Sequence, residues 1–357
     1  MKEIFFGLLR FAIGIEDTLK IVPSSTEWNE LYKLCIKHSL VGVVFQGLER
    51  LPKNQIPDKA LLLQWYAMVE RIKKNNLLHF QRCEELSNIF LSAGYRSCVL
   101  KGQGTALLYS KPEYRQCGDI DLWVEGERNS IIDFVRKQGI NIRSIDVQHS
   151  EMDFFKDVPV EIHFNPSYTF NFIVGKKLTK WTKSIAESQF ENYDSNVGFA
   201  HSNVEFNLVY SLMHIYRHLF SEGIGLRQLI DYFYILKNSN KSQRERAFVT
   251  SCSLGMRDFS GAVMYVLKEV LNIGESLMLC PINEKHGKFL LDEIMIAGNF
   301  GHFDERITHV SKQKKFIRGF EQFKRNWKFM HYYPYEVLWS PFWKIWHWYW
   351  RKTNGYL

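Results

Sequence analysis

Apolar positions along this chain change their period twice, and the changes divide it. Trp28, Leu31, Tyr32, Cys35 and residues 38–41 recur at helical spacing. A second helical pattern runs from 59 to 93 through Leu63, Trp65, Val69, Ile72, Leu77, Phe80, Leu86, Ile89 and Phe90. Pro52 and Pro57 mark the loop between them, and Gly94 closes the long helix as a C-cap glycine does. From 95 to about 165 the pattern turns strand-like. It predicts a strand over 96–100, a helix over 103–109, a loop over 111–118 containing Pro112, and a strand over 119–124. A helix over 127–138 follows, stopped by Gly139, and then two or three strands between 140 and 164. After Pro166 helical spacing returns, over 204–219, 226–236, and roughly 255–272 and 286–297. The expectation is an α+β fold: a small mixed β-sheet core with its own helices (95–165), flanked by an N-terminal helical region (1–94) and a C-terminal helical domain (166–310). A basic, aromatic tail (311–357) completes the chain.

The strand-like segment carries the chemistry. Alternate strand residues share a face, so Asp119 and Asp121 point the same way, about 7 Å apart along the chain. Ile120, Leu122 and Val124 then face a core. Two neighbouring acids repel unless a positive charge lies between them, and a divalent cation with hard oxygen ligands meets that need. The last predicted strand repeats the alternation: Val160, Ile162 and Phe164 on one face, Glu161 and His163 on the other. Glu161 thereby supplies a third carboxylate from a second strand, the set that a two-metal site requires. Ahead of the acids, Lys101-Gly102-Gln103-Gly104 turns from a strand into a helix, where free N–H groups and a close backbone favour an anion. It is not a Walker loop, which needs Gly-Lys-Ser/Thr after a longer glycine stretch. Phosphate at a glycine turn beside a divalent metal implies phosphoryl or nucleotidyl transfer.

Other polar residues leave alternatives open. Arg115 forks onto a phosphate, holds a metal-binding carboxylate, or stays at the surface. His163 shares the face of Glu161, as general base, substrate contact or hydrogen-bonded structural residue. His214 and His218 lie four apart, followed by Arg227 and Asp231. No glutamate follows the first histidine, so this is a polar seam or a cleft wall rather than a metalloprotease motif.

Those motifs resemble the nucleotidyltransferase superfamily, the fold of DNA polymerase beta and the bacterial antibiotic nucleotidyltransferases. More closely they resemble the bacterial group usually called "nucleotidyltransferase family protein". Its Lys-Gly turn, Arg-x-x-Gly-Asp-Ile-Asp and later Val-Glu-Ile-His correspond to Lys101-Gly102, residues 115–121 and residues 160–163. The resemblance implies a metal-binding triad of Asp119, Asp121 and Glu161, with Mg²⁺ or Mn²⁺ as cofactor. It places Lys101, Gly102, Gln103, Gly104, Arg115 and His163 around an NTP co-substrate, ATP included. The superfamily's usual Gly-Ser is absent, so Gln103, Thr105 or Lys101 stands in for the serine that contacts phosphate. The implied reaction is transfer of an NMP to a hydroxyl or phosphate acceptor. The alternative is a catalytically inactive nucleotide-binding module docked on a membrane or protein partner through its aromatic tail.

Composition narrows the remaining choices. At 357 residues, 46% of them hydrophobic and 24% charged, the chain has material for two or three cored units. A net charge of +8 favours anionic partners. Six cysteines without a CxxC spacing argue against a zinc or disulfide framework and for a reducing compartment, hence a cytoplasmic location. The N-terminus reads as an amphipathic helix, since Arg10 interrupts its apolar run. Residues 314–352 hold six of the ten tryptophans, interleaved with Lys314, Lys315, Arg318, Lys324, Arg325, Lys328, Lys344, Arg351 and Lys352. Three readings stand: the tail folds back on the helices, it makes a peripheral membrane or protein contact, or, in third place, it stacks nucleic acid bases.

Overall fold

A computed structural model of the chain describes residues 1–306, 321 and 323–356. The fold is α+β, with a five-stranded mixed sheet set among helices. Four helices come first: α1 (Lys2–Ala12), α2 (Ser25–His38), α3 (Val41–Leu48) and α4 (Lys59–Ser92). α1 buries Phe5, Phe6, Leu8, Leu9 and Phe11, which is why its apolar run is interrupted by only one charge. The spacing around 28–41 implied one continuous helix. Instead Ser39 takes a left-handed conformation (φ 56°) and splits α2 from α3. α4 starts at Asp58, whose carboxylate accepts from the amides of Ala60 and Leu61. Its 34 residues span about 50 Å.

The sheet comprises β1 (Ser97–Val99), β2 (Ile120–Val124), β3 (Ile142–Ile145), β4 (His149–Met152) and β5 (Val160–His163), in the order β1-β2-β5-β4-β3. β2 and β5 are parallel; the other neighbours are antiparallel. Between β1 and β2 lies the one-turn helix α5 (Gln103–Ala106), shorter than the predicted 103–109, followed by a 3₁₀ turn at Pro112–Tyr114. The helix α6 (Arg128–Lys137) links β2 to β3. One sheet face, with Ile120, Leu122, Val124, Val160 and Ile162, packs on Cys83, Leu86 and Phe90 of α4 and on Ile131, Ile132 and Val135 of α6.

The other face is divided. Cys98, Leu100 and Trp123 at one side pack on Phe190, Phe206 and Tyr210. These come from α8 (Glu187–Phe190) and α9 (Val204–Ser221), which follow α7 (Phe172–Ile185) and flank the short hairpin β6 (Tyr193–Asp194) and β7 (Phe199–Ala200). The remaining side of that face carries Asp121, Glu161 and His163. The helical half continues with α10 (Leu226–Lys237), α11 (Lys241–Ser253), α12 (Arg257–Leu271) and α13 (Glu284–Ala297). α11 escaped the pattern because it is polar almost all round and buries only Arg244, Ala247 and Ser251.

The last helix, α14 (Pro334–Thr353), folds back in part. Val337 and Trp343 are buried, and the Trp343 ring stacks on Tyr168 at 4.5 Å and 7°. Tyr335, Leu338, Phe342, Ile345 and Tyr349 remain exposed along one stripe. Lys314, Lys315 and Arg318 of the basic tail lie outside the described residues. No helix among the described residues is long and apolar enough to cross a membrane, and all six cysteines are free.

Candidate active site

The site begins on α4. Its buried positions Val69, Ile72, Asn76, His79, Cys83, Leu86 and Phe90 recur every three or four residues, and two of them are polar. Asn76 Nδ2 donates to the carbonyls of Glu113 (2.8 Å) and Arg115 (2.6 Å). His79 Nε2 lies 2.9 Å from Gly118 O and its Nδ1 2.7 Å from Asn75 O. A carbonyl at each ring nitrogen calls for a proton on both. Burial opposes the charge, but the Cys117 thiol and the two carbonyls outweigh it and raise the pKa to about 9. The loop that delivers Asp119 is therefore lashed to a helix interior rather than left to solvent.

Parallel pairing of β2 with β5 sets Asp121 directly beside Glu161. Asp119, the residue before β2, reaches the same place: the three carboxylates each offer an oxygen within 4.8 Å of the others. Lys101 Nζ is 2.8 Å from Asp121 Oδ1, and His163 Nε2 meets the same oxygen at 2.8 Å. Burial would raise the Asp121 pKa, but the Lys101 ammonium and His163 hold it well below the usual carboxylate range. Among the described residues, Asp119 has no ion pair of its own. Burial and the neighbouring Asp121 charge push it up to about 6, with Lys101 opposing. An acid left this way beside two others is a donor set with negative charge to spare, which suits a hard divalent cation.

His163 is 1% exposed and orders the face. Burial disfavours its charge, but hydrogen bonds to Asp121 and Glu161 raise its pKa to about 9. On the far side of the ring, Gln148 Nε2 is 3.3 Å from Nδ1, and Arg217 donates to Gln148 Oε1 at 2.5 Å.

The 101–104 turn divides its residues. Gly102 adopts φ +54°, open to glycine, and opens α5. At Gly104 a side chain would meet His201 Cβ at 3.1 Å and Val99 O at 3.2 Å, so that glycine serves close packing. Gln103 points away from the acids, its amide donating to Asn76 Oδ1 at 2.9 Å. Arg115 forks onto Asp231 instead of a metal-site carboxylate, at 2.8 and 2.9 Å, and Tyr109 donates to the same carboxylate at 2.6 Å.

Lys101, Gly102, Thr105, Asp119 and Asp121 line one wall of a cleft; Arg115, Ser211, His214, Arg227 and Asp231 line another. Arg227 donates to Gln116 O at 2.7 Å. One nitrogen of each arginine, Arg115 Nη1 and Arg227 Nε, is buried with no hydrogen-bond partner among the described residues. His214 thus belongs to the cleft wall, while His218 sits 3.3 Å from Glu222.

Sequence reading missed Asn76, His79, Gln148 and Arg217. The first two had a signal: polar residues occupying two successive core positions of a long helix. The other two had none, because their partners are distant in sequence.

Three clustered acids on the sheet thus face a cleft lined by Arg115 and Arg227. The chain belongs to the family described as "Uncharacterised nucleotidyltransferase", whose profile matches residues 24–272. A solved structure similar to it is an antigenic nucleotidyltransferase-like protein from Paracoccidioides brasiliensis. That likeness has 12% identity and a TM-score of 0.36, over 58% of this chain and 94% of that one. No curated protein matches the sequence.

Proposed function

We propose that this chain transfers a nucleoside monophosphate from an NTP to a hydroxyl or phosphate acceptor. One observation carries the proposal: Asp121 and Glu161 are register partners on parallel strands, with Asp119 close enough for all three to share cations. In this reading Asp119, Asp121 and Glu161 hold Mg²⁺ or Mn²⁺, which when bound neutralises phosphate charge and acidifies the attacking hydroxyl. His163 acts as a positioning residue, fixing the Asp121 carboxylate through Nε2 while Gln148 and Arg217 brace it from behind. Lys101 covers Asp121 in the free enzyme; with a cation there, its ammonium turns to the triphosphate. Arg115 and Arg227 each retain a buried nitrogen without a partner at the cleft, and anionic oxygens would satisfy both.

Incubation with each α-labelled NTP and Mg²⁺ tests this. Pyrophosphate release or label on an acceptor is expected, and Asp121→Asn should abolish it while leaving the fold intact. Full turnover in that variant would remove Asp121 from its role. Tight NTP binding without turnover in the unmodified chain would instead make it a nucleotide-binding module. We also propose that the exposed stripe of α14 makes a peripheral contact with anionic lipid, supported by Lys352 on the same helix and by aromatics suited to headgroup depth.

A further inference from the structure

A second donor set lies beside the carboxylate trio. β4 and β5 place His149 and His163 opposite each other in register, with ring centroids 5.2 Å apart. Glu161 sits between them: its Oε2 is 3.7 Å from His149 Nδ1 and 3.5 Å from His163 Nε2. A tetrahedral ion with bonds of about 2.1 Å keeps its ligands about 3.4 Å apart. Both separations are close to edges of such a tetrahedron. Asp121 Oδ1, 2.8 Å from His163 Nε2, is within reach as a further ligand. Among the described residues, His149 Nδ1 is buried and has no hydrogen-bond partner, so it is open to a ligand. His163 Nδ1 faces Asn165 O at 3.4 Å, the kind of backbone contact that orients a ligating imidazole. About a quarter of the His149 side chain is exposed, which leaves an entry path.

We propose that His149, Glu161 and His163 form a second cation site, selective for Co²⁺ or Zn²⁺ over Mg²⁺. Two imidazole nitrogens favour borderline ions, whereas Mg²⁺ prefers oxygen donors and retains its waters. Binding replaces the Nε2 proton that His163 shares with Asp121, and that proton leaves to solvent. The site shares Glu161 with the trio and, when filled, takes the His163 Nε2 that otherwise fixes Asp121, but it does not depend on transfer taking place.

Cobalt titration of the chelator-stripped protein tests the site. One equivalent should produce the intense visible bands of a low-coordinate, nitrogen-ligated ion, persisting in excess Mg²⁺. His149→Ala should weaken that binding by about tenfold or more. Weak bands that Mg²⁺ displaces, or unchanged affinity in His149→Ala, would overturn the inference. In the unmodified chain loaded with Co²⁺, proton NMR should show two hyperfine-shifted exchangeable imidazole signals, one from each histidine; fewer than two would overturn it as well. Asp119→Asn separates the two readings. It should retain the cobalt bands while losing NMP transfer, so absence of transfer in the parent leaves the cobalt result standing.

Discussion

Asp119, Asp121 and Glu161 illustrate what single residues disclose. Their period-two placement among Ile120, Leu122, Val160 and Ile162 is visible in the sequence, because a strand with one buried face leaves little freedom in assigning the other. What holds them in place is less visible. Asn76 and His79 fall on an apolar face where periodicity counts only the apolar positions, and the Arg115–Asp231 pair joins residues 116 apart. Two predictions belong at this scale. His79 has a folded pKa of about 9 against an ordinary 6.5, so its imidazolium stabilises the fold fully below pH 6.5. That contribution should disappear as pH rises through 9, at up to about 1.4 kcal/mol per pH unit. Denaturant unfolding across pH 6–10 should show this decline, and His79→Gln should reduce its slope, leaving the part that His163 contributes with a pKa also raised to about 9. Asp231→Ala should cost about 3–5 kcal/mol by stranding the buried Arg115 and removing the acceptor of Tyr109, as read from the same unfolding curves.

At the scale of elements, long periodic helices were legible and polar or short ones were not. α4 and α9 announce themselves; α11 does not, and the break at Ser39 depends on a single left-handed residue rather than on any change of period. The tail is the informative case. Its aromatic content is plain in the sequence, but which rings are covered depends on Tyr168, Phe170 and Phe172 beneath α14. Trp343→Ala should therefore destabilise by about 3–5 kcal/mol. Phe342→Ser with Ile345→Ser, both on the exposed stripe, should change stability by only about 0.5 kcal/mol each. The same double variant should lose co-sedimentation with phosphatidylglycerol vesicles; equal sedimentation of parent and variant would remove the lipid contact.

Across the whole molecule, helices distant in sequence share one interior. Phe5 and Leu9 of α1, Trp65 of α4, Leu212 of α9, Val263 of α12 and Val337 of α14 belong to a single apolar cluster. The sheet has its own cluster, and α4 contributes to both, Trp65 and Ile72 to one and Leu86 and Phe90 to the other. Packing through α4 thus joins the sheet to the helices. Such long-range packing sets the cleft between the sheet and α9–α10, and no local pattern encodes it. Anomalous diffraction from crystals soaked with Mn²⁺ and a non-hydrolysable NTP tests the metal-binding role of the three acids most directly. Manganese is expected at Asp119, Asp121 and Glu161, with the triphosphate beside Arg115 and Arg227. Manganese absent from the three carboxylates while nucleotide is bound elsewhere would contradict it.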